Sequence, residues 1–558
     1  MSDELPRQCK ARRGLSVSYK GKTLLSLIDP IAQGERLAKA APLGPGILYF
    51  CPSPLYGYGI DWLLPRLGPD SAILCVELDE KLLELSTKAL GDLLAQHPAL
   101  GLASCFGDPA RLCTWVRSTW GSRRFRRIAI LRLSGGWQLQ EDRYTHLAEA
   151  LRQDIALDWS NAMTLMKMGR RYVWNTIRNL SLIPQAPSLG DFTWGASPLL
   201  VLGAGPSLDG VLEGLHRYRG ASLAERDRPF KIIAVDTCLP SLQDWNIKPD
   251  LVVALESQQW NLRDFIGMGS WDIPLAMDLS ALPATREVLG AHPRLFATPW
   301  TRLRLFKRLA AAGLLPETFP PLGSVGLTAV ALARRLSTGP IIIAGMDFAF
   351  TLDRFHARST PGHRDGLYRQ TRFKSILMAE AAFRSGTGTV RSKAGLSQRS
   401  DPALKTYRDL FEREFARDPR IQDITGPGLA LGLQSLSLQG ALEVLGKGLP
   451  AEDTRLPQPR YKGAAISAAV EAFICREQGA LMLLRDILTG KSKDSRNLEA
   501  LLDECDYLWA HFPECAGAEG RRPSGTDLSF LNRVRIEIDP LLKRFDLSLR
   551  ELRKAPAP

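Results

Sequence analysis

This 558-residue sequence has no long hydrophobic run. Its longest apolar stretches, such as Ile-Ile-Ile-Ala at 341–344, fall far short of the ~20 residues that a membrane-spanning helix needs. The opening Met-Ser-Asp-Glu-Leu-Pro-Arg lacks the apolar core of a secretion signal, so a cytoplasmic location is expected. Only nine cysteines occur, scattered and without a Cys-x-x-Cys pair, which argues against a disulfide framework and for reduced thiols. Acidic residues are the minority, 59 against 72 Lys and Arg, giving a net charge of +13. The basic residues are spread along the chain, and groups such as Arg334-Arg335 are short and come without an aromatic-and-basic recognition module. Specific nucleic-acid binding is therefore not expected. A basic surface that attracts anionic sugar nucleotides or an acidic partner suits the charge equally well.

What the sequence does have is an ordinary globular composition, 45% apolar and 23% charged, over a length that requires two or three domains. Apolar runs alternate with helical patterns, which predicts α/β architecture with parallel, doubly wound sheets. Residues 1–155 read as a first Rossmann-like unit with strands at 46–50, 71–77 and 127–133. Glu77 ends its second strand, where such folds hold a ribose hydroxyl. The turn after the first strand has no regular Gly-x-Gly-x-x-Gly, so a scaffold without a site is the competing reading. A connecting helix is expected at 156–190, with Met163, Met166 and Met168 as packing residues and breaks at Pro184 and Pro187. A central unit spans 191–450. A helical domain follows at 459–553, after a linker marked by Pro457, Pro459, Lys462 and Gly463, with an unstructured tail at the end.

The central unit carries the chemistry. Strands are expected at 199–203, 231–235, 251–255, 274–277, 295–297 and 341–345. The first ends in Gly-Ala-Gly-Pro-Ser-Leu-Asp at 203–209. Gly203 and Gly205 let the backbone turn sharply, and Ser207 suits the cap of the next helix, leaving N–H groups for an anion. A ligand-free βα turn uses the same glycines. Three further strands end in Asp236-Thr237, in Glu256-Ser257-Gln258 and in Asp347. The carboxyl ends of parallel strands share one rim, where ligands bind. Helix capping is the alternative role for Asp236 and Asp347. Gly323 and Ser324 open another helix, as a second anion seat or an ordinary cap. His356, with His363 close behind, falls in a loop beyond the sixth strand, as a general acid or base or as a solvated surface histidine.

The set Gly-Ala-Gly-Pro-Ser-Leu-Asp at 203–209, Ala-Val-Asp-Thr at 234–237, Ile-Lys-Pro-Asp-Leu-Val-Val-Ala-Leu-Glu-Ser-Gln at 247–258, Gly-Ser-Val-Gly-Leu-Thr-Ala at 323–329 and Ala-Gly-Met-Asp-Phe-Ala-Phe at 344–350 resembles the motility accessory factor family. The central domain of those bacterial proteins is similar to 6-hydroxymethylpterin diphosphokinases and to CMP-sialic-acid-dependent sialyltransferases. The match is close over 190–435 and looser toward the N-terminus, where it includes Arg-Tyr-Val-Trp-Asn-Thr-Ile-Arg-Asn at 171–179. It implies a glycosyltransferase that moves a pseudaminic- or legionaminic-type nonulosonic acid from its CMP-activated form to Ser or Thr of flagellin, with no metal required. Carried over by position, Gly203, Gly205, Pro206 and Ser207 would hold the nucleotide, with Asp236, Thr237, Ser257 and Gln258 beside it. Gly323, Ser324, Val325, Gly326 and Thr328 would face the donor's phosphate or carboxylate. Asp347, His356 and Glu256 would be catalytic. Many relatives carry Asp-Pro where this chain has Glu256-Ser257, which puts the third strand's role in doubt.

Two rival readings stand beside this one. A pterin pyrophosphokinase-like transferase would need magnesium, for which Asp236, Glu256 and Asp347 are the candidate ligands. A flagellin-binding assembly factor would keep the fold without turnover.

Overall fold

A computed structural model describes residues 5–104, 107–121, 124–186, 189–218, 228–290, 293–300, 303–351, 354–373, 386–447, 464–492, 498–516 and 522–554. The expected break at Pro187, the linker residues Pro457, Pro459, Lys462 and Gly463, and the tail beyond Lys554 lie outside those residues. The chain divides into two units, Met1–Gly169 with Trp509–Thr526, and Arg170–Leu508 with Asp527–Pro558.

The first unit opens with a small antiparallel sheet of β1 (Arg7–Lys10), β2 (Leu15–Tyr19) and β3 (Lys22–Thr23). A parallel sheet follows, built from β4 (Ile47–Pro52), β5 (Ala72–Val76), β6 (Leu100–Ala103) and β7 (Arg127–Ile130), in the order β6-β5-β4-β7. Alternate residues of β4 and β5 enter opposite cores. Leu48, Phe50 and Leu74 pack with Trp120 and Leu147, while Ile47, Tyr49 and Ile73 pack with Ile60 and Leu90. Burial of both faces explains why these strands are apolar throughout. Strand β6 was not anticipated.

The helix expected at 156–190 runs instead over Glu141–Asn179. Met166 and Met168 on it are half-buried, whereas Met163 is exposed and stands outside the packing stripe read from the sequence.

The second unit holds an eight-stranded sheet of β8 (Leu199–Leu202), β9 (Lys231–Val235), β10 (Leu251–Ala254), β11 (Leu275–Asp278), β12 (Pro293–Phe296), β13 (Ile341–Ala344), β16 (Ile421–Ile424) and β17 (Gln434–Leu436). A hairpin of β14 (Gly388–Arg391) and β15 (Ser397–Ser400) stands apart from it. Every neighbour in the large sheet is parallel, in the order β12-β11-β10-β9-β8-β13-β16-β17. The chain therefore builds outward from β8 in one direction and from β13 in the other. The strand order reverses between these two, which opens a crevice at their carboxyl ends. Helices Ala464–Leu488, Leu498–Glu504 and Leu528–Lys554 form the helical C-terminal region. Among the described residues no helix is long and apolar enough to cross a membrane.

Candidate functional site

The crevice is made by glycines. A Cβ on Gly203 would lie 2.5 Å from the Gly345 carbonyl oxygen, and one on Gly345 would lie 2.3 Å from that of Gly203. Gly345 also has φ of +72°, so the ends of β8 and β13 meet only because neither residue has a side chain. A Cβ on Gly205 would lie 2.8 Å from the Asp347 carboxyl carbon. That carboxylate accepts the Ser207 N–H on Oδ2 at 2.7 Å and the Ser207 hydroxyl on Oδ1 at 2.5 Å.

This arrangement occupies part of the first candidate anion seat. Ser207 gives its hydroxyl to Asp347 and does not cap its own helix. The N–H groups of Gly203, Gly205 and Leu208 are bonded to the carbonyls of Ala344, Gly345 and Gly205. The protein's own carboxylate takes the Ser207 end of the turn, while Ala204, whose N–H has no partner among the described residues, lines the cavity. Pro206 is buried and does not line the crevice.

A cavity of about 210 Å³ opens over this crossing. Gly203, Gly205, Thr237, Ser324, Val325, Gly326, Asp347 and His356 of the expected set line it. Ser324 has the extended backbone of an N-cap residue, φ −138° and ψ 133°, yet its side chain makes no capping bond. The first N–H groups of helix Val325–Leu336 thus have no side-chain acceptor, and two of those residues face the cavity. An uncapped helix start attracts negative charge. This helix start, unlike the Ser207 end of the first turn, carries no protein carboxylate. Gly323 is exposed, with φ of +70°, and is not a wall residue. Thr328 is buried and donates its hydroxyl to the Ser324 carbonyl at 3.0 Å, which steadies the N-cap without touching the cavity.

His356 is half-buried and lines the cavity, with Phe355 packed edge-on at 4.4 Å between ring centroids. Its ring nitrogens have no hydrogen-bond partner among the described residues. Burial pushes its pKa down to about 4, so the imidazole is neutral and able to accept a proton at neutral pH. Burial pushes Asp347 up to about 6, opposed by the two Ser207 bonds and by Lys393. His363 is set apart, its Nδ1 accepting the Ser359 N–H at 3.2 Å.

The other expected carboxylates go elsewhere. Asp236 is buried, accepts the Thr237 N–H at 2.8 Å and the Asn261 amide at 2.8 Å, and does not line the cavity. The same Asn261 amide donates to Asp264 at 3.0 Å. Burial raises Asp236 to about 6. Burial, with the Asp236 charge beside it, raises Asp264 to about 8. Glu256 is exposed and folds back on its own turn, accepting the N–H groups of Ser257 and Gln258 at 2.8 and 2.9 Å. Ser257 is buried and receives the Asn175 amide on its carbonyl, while Gln258 is half-buried. Neither reaches the cavity wall. The Glu256 charge acts on Asp236, but neither carboxylate lines the cavity with Asp347, and among the described residues no three His, Cys, Asp or Glu side chains form a group able to hold a metal ion.

In the first unit, Glu77 is also spoken for. It is buried, and accepts from Ser53 at 2.7 Å, Tyr144 at 3.0 Å and the Leu78 N–H at 2.9 Å. A carboxylate buried under protein donors presents no surface to a ribose, which favours the scaffold reading of that unit.

Several wall residues escaped the sequence reading. Met346 and Phe348 flank Asp347, and their signal was present in that run. Leu404 and Tyr407 come from helix Pro402–Phe415, and nothing local marks them. Lys393 and Asp423, a buried ion pair at 2.5 Å whose charges act on Asp347, were also missed.

With this geometry in hand, the relatives can be placed. The family model described as 6-hydroxymethylpterin diphosphokinase MptE-like matches residues 174–353, so His356 and Tyr407 lie beyond it. An uncharacterized protein of Treponema pallidum (strain Nichols) is 30% identical over 564 residues, spanning 96% of this chain and 94% of that protein. The structure of the MAf glycosyltransferase from Magnetospirillum magneticum AMB-1 matches with a TM-score of 0.52 and 15% identity, over 99% of this chain and 91% of its own, a likeness of fold.

Proposed function

This chain belongs to the motility accessory factor and MptE-like family, and from that premise we propose that it is a cytoplasmic glycosyltransferase. It moves a pseudaminic- or legionaminic-type nonulosonic acid from its CMP-activated form to a Ser or Thr hydroxyl of flagellin. The observation that carries this reading is the cavity at the β8/β13 crossing, where an uncapped helix start and an unpartnered, neutral His356 share one wall.

The chemistry follows from those parts. The bond between the anomeric carbon and the phosphate oxygen breaks, and its electron pair leaves with CMP. The N–H groups at Val325 and Gly326 stabilise that charge as it develops. The acceptor oxygen forms the new bond to the anomeric carbon, and His356 takes its proton. Asp347 has both oxygens committed to Ser207, so it holds the turn and supplies negative charge near an oxocarbenium-like centre.

Calorimetric titration with CMP, with ATP plus magnesium as comparison, tests the reading before any acceptor is tried. CMP binding supports it, and transfer to flagellin then completes the test. Binding of ATP with magnesium alone overturns it in favour of the pyrophosphokinase-like reading, with which the matching family model is compatible. Binding of neither, with flagellin still bound, favours the non-catalytic assembly factor.

A further inference from the structure

Outside the cleft, helix Leu528–Lys554 lies along the end of helix Glu141–Asn179 and the turn after it, within one unit. Three successive rungs join them. Arg170 pairs with Glu537 at 2.8 Å. At the other end Arg178 pairs with Glu551, which also accepts the Ser181 hydroxyl at 3.3 Å. The middle rung breaks the pattern. There Arg544 meets Trp174, its guanidinium carbon 3.9 Å from the ring centroid, and Arg170 lies 4.5 Å from the same ring. Among the described residues no carboxylate pairs with Arg544. With Arg533, whose charge also acts on Glu537, the arginines along this seam outnumber its two glutamates.

The hydrogen bonding is unbalanced in the same direction. Trp174 Nε1, Arg178 Nε, Arg544 Nε and Ser548 Oγ are all buried and all lack a partner among the described residues. Three of these four groups can only donate. Trp174 and Arg178 are four residues apart on one helix, and Arg544 and Ser548 are four apart on the other, so each pair shares a helix face. Buried donors without acceptors are rare in native proteins. An excess of donors with an excess of positive charge calls for oxygen atoms that carry negative charge. The three arginines also sense one another, since Arg544 is held below the usual arginine range by burial and by the charges of Arg178 and Arg170.

We propose that Trp174, Arg178, Arg544 and Ser548 form a binding site for a single oxyanion group, a phosphate or a carboxylate, lined by none of the cleft residues. The guanidinium fork supplies paired donors to two oxygens, and the indole holds that fork in place while adding its own N–H.

The test compares wild type with Arg544→Gln, which keeps length but removes charge, and with Trp174→Phe, which keeps a ring but removes the N–H. Each protein is titrated with sodium phosphate and with sodium acetate against sodium chloride at matched ionic strength, by calorimetry and by unfolding midpoint. Anion binding at the cleft is common to all three proteins and cancels in the comparison. The expected result is a specific response in wild type that weakens about tenfold in Arg544→Gln and severalfold in Trp174→Phe, in line with loss of a charge-assisted bond and a neutral one. A response to phosphate alone identifies a phosphate group, and a response to acetate alone identifies a carboxylate. Equal responses to all three salts in wild type overturn the proposal, as do equal titrations of wild type and Trp174→Phe. In either event buried water satisfies the donors. Should Arg544→Gln not fold, Trp174→Phe carries the test by itself.

Discussion

The Asp347 carboxylate closes on Ser207 across 140 residues of sequence, taking its N–H at 2.7 Å and its hydroxyl at 2.5 Å. One side chain therefore does the work of a helix cap from the neighbouring strand and leaves the glycine turn without a free donor at that point. Asp347→Ala strands both Ser207 groups and is expected to cost about 1–3 kcal/mol for the unsatisfied donors, measured by denaturant unfolding. Ser207→Ala removes only the hydroxyl bond and is expected to cost less.

The same pair predicts a pH dependence. Asp347 titrates near 6 in the folded protein, above its ordinary value of 3.8, so the folded state holds the proton more tightly than the unfolded chain. The stability linked to this group is fully present below about pH 4 and is lost as pH rises through about 6. Asp347→Asn is expected to flatten the unfolding midpoint across that window relative to wild type. An unchanged slope would show that Asp347 does not titrate there.

His356 is already neutral above about pH 4, so its protonation does not limit activity at pH 5 or higher. His356→Gln is expected to lower transfer about 10²–10⁴-fold, the usual worth of a general base, while CMP affinity stays within about twofold. An acid limb of kcat/KM is expected near 6 from Asp347 and should be the same in this variant. Loss of CMP binding together with activity would instead make His356 a nucleotide contact.

Val325→Pro isolates the helix start. Proline is well tolerated at the first helical position, and it deletes one N–H without changing any side-chain charge. Affinity for CMP is expected to fall about tenfold, as for loss of one hydrogen bond to a charged group. Far-UV circular dichroism should be unchanged. Undiminished affinity would move the phosphate away from helix Val325–Leu336.

Asp264 titrates near 8 because it is buried beside Asp236, with Asn261 bridging the two. Its raised value means that the linked stability is full below about pH 4 and is lost as pH rises through about 8. Asp264→Asn is expected to lose that dependence and to be the more stable protein at pH 9, read from unfolding midpoints across pH. A parallel pair of curves would remove Asp264 from the titration.

Much of the architecture was legible because buried parallel strands are short, continuous apolar runs bounded by turn residues. The runs at 199–202, 231–235 and 341–344 need no partner to be recognised. Strands Ile421–Ile424 and Gln434–Leu436 were invisible by the same rule, since Gln422, Asp423, Gln434 and Ser435 interrupt the apolar pattern. The rim of strand ends was legible too, because parallel strands in one sheet must place their carboxyl ends together.

What the sequence by itself determined was therefore the apolar strands of the central sheet, the positions of the glycines at the crossing, and the list of polar groups delivered to one rim. Only the tertiary structure decided which of those groups face open space. Asp236 turned to Asn261, Glu256 to its own backbone and Asp347 to Ser207, while the side chains of Ser324 and His356 have no hydrogen-bond partner among the described residues. The physical reason is range. Strand and turn preferences act over a few neighbouring residues, whereas a buried carboxylate takes whichever donor the packing brings within 3 Å, and that donor can lie 140 residues away.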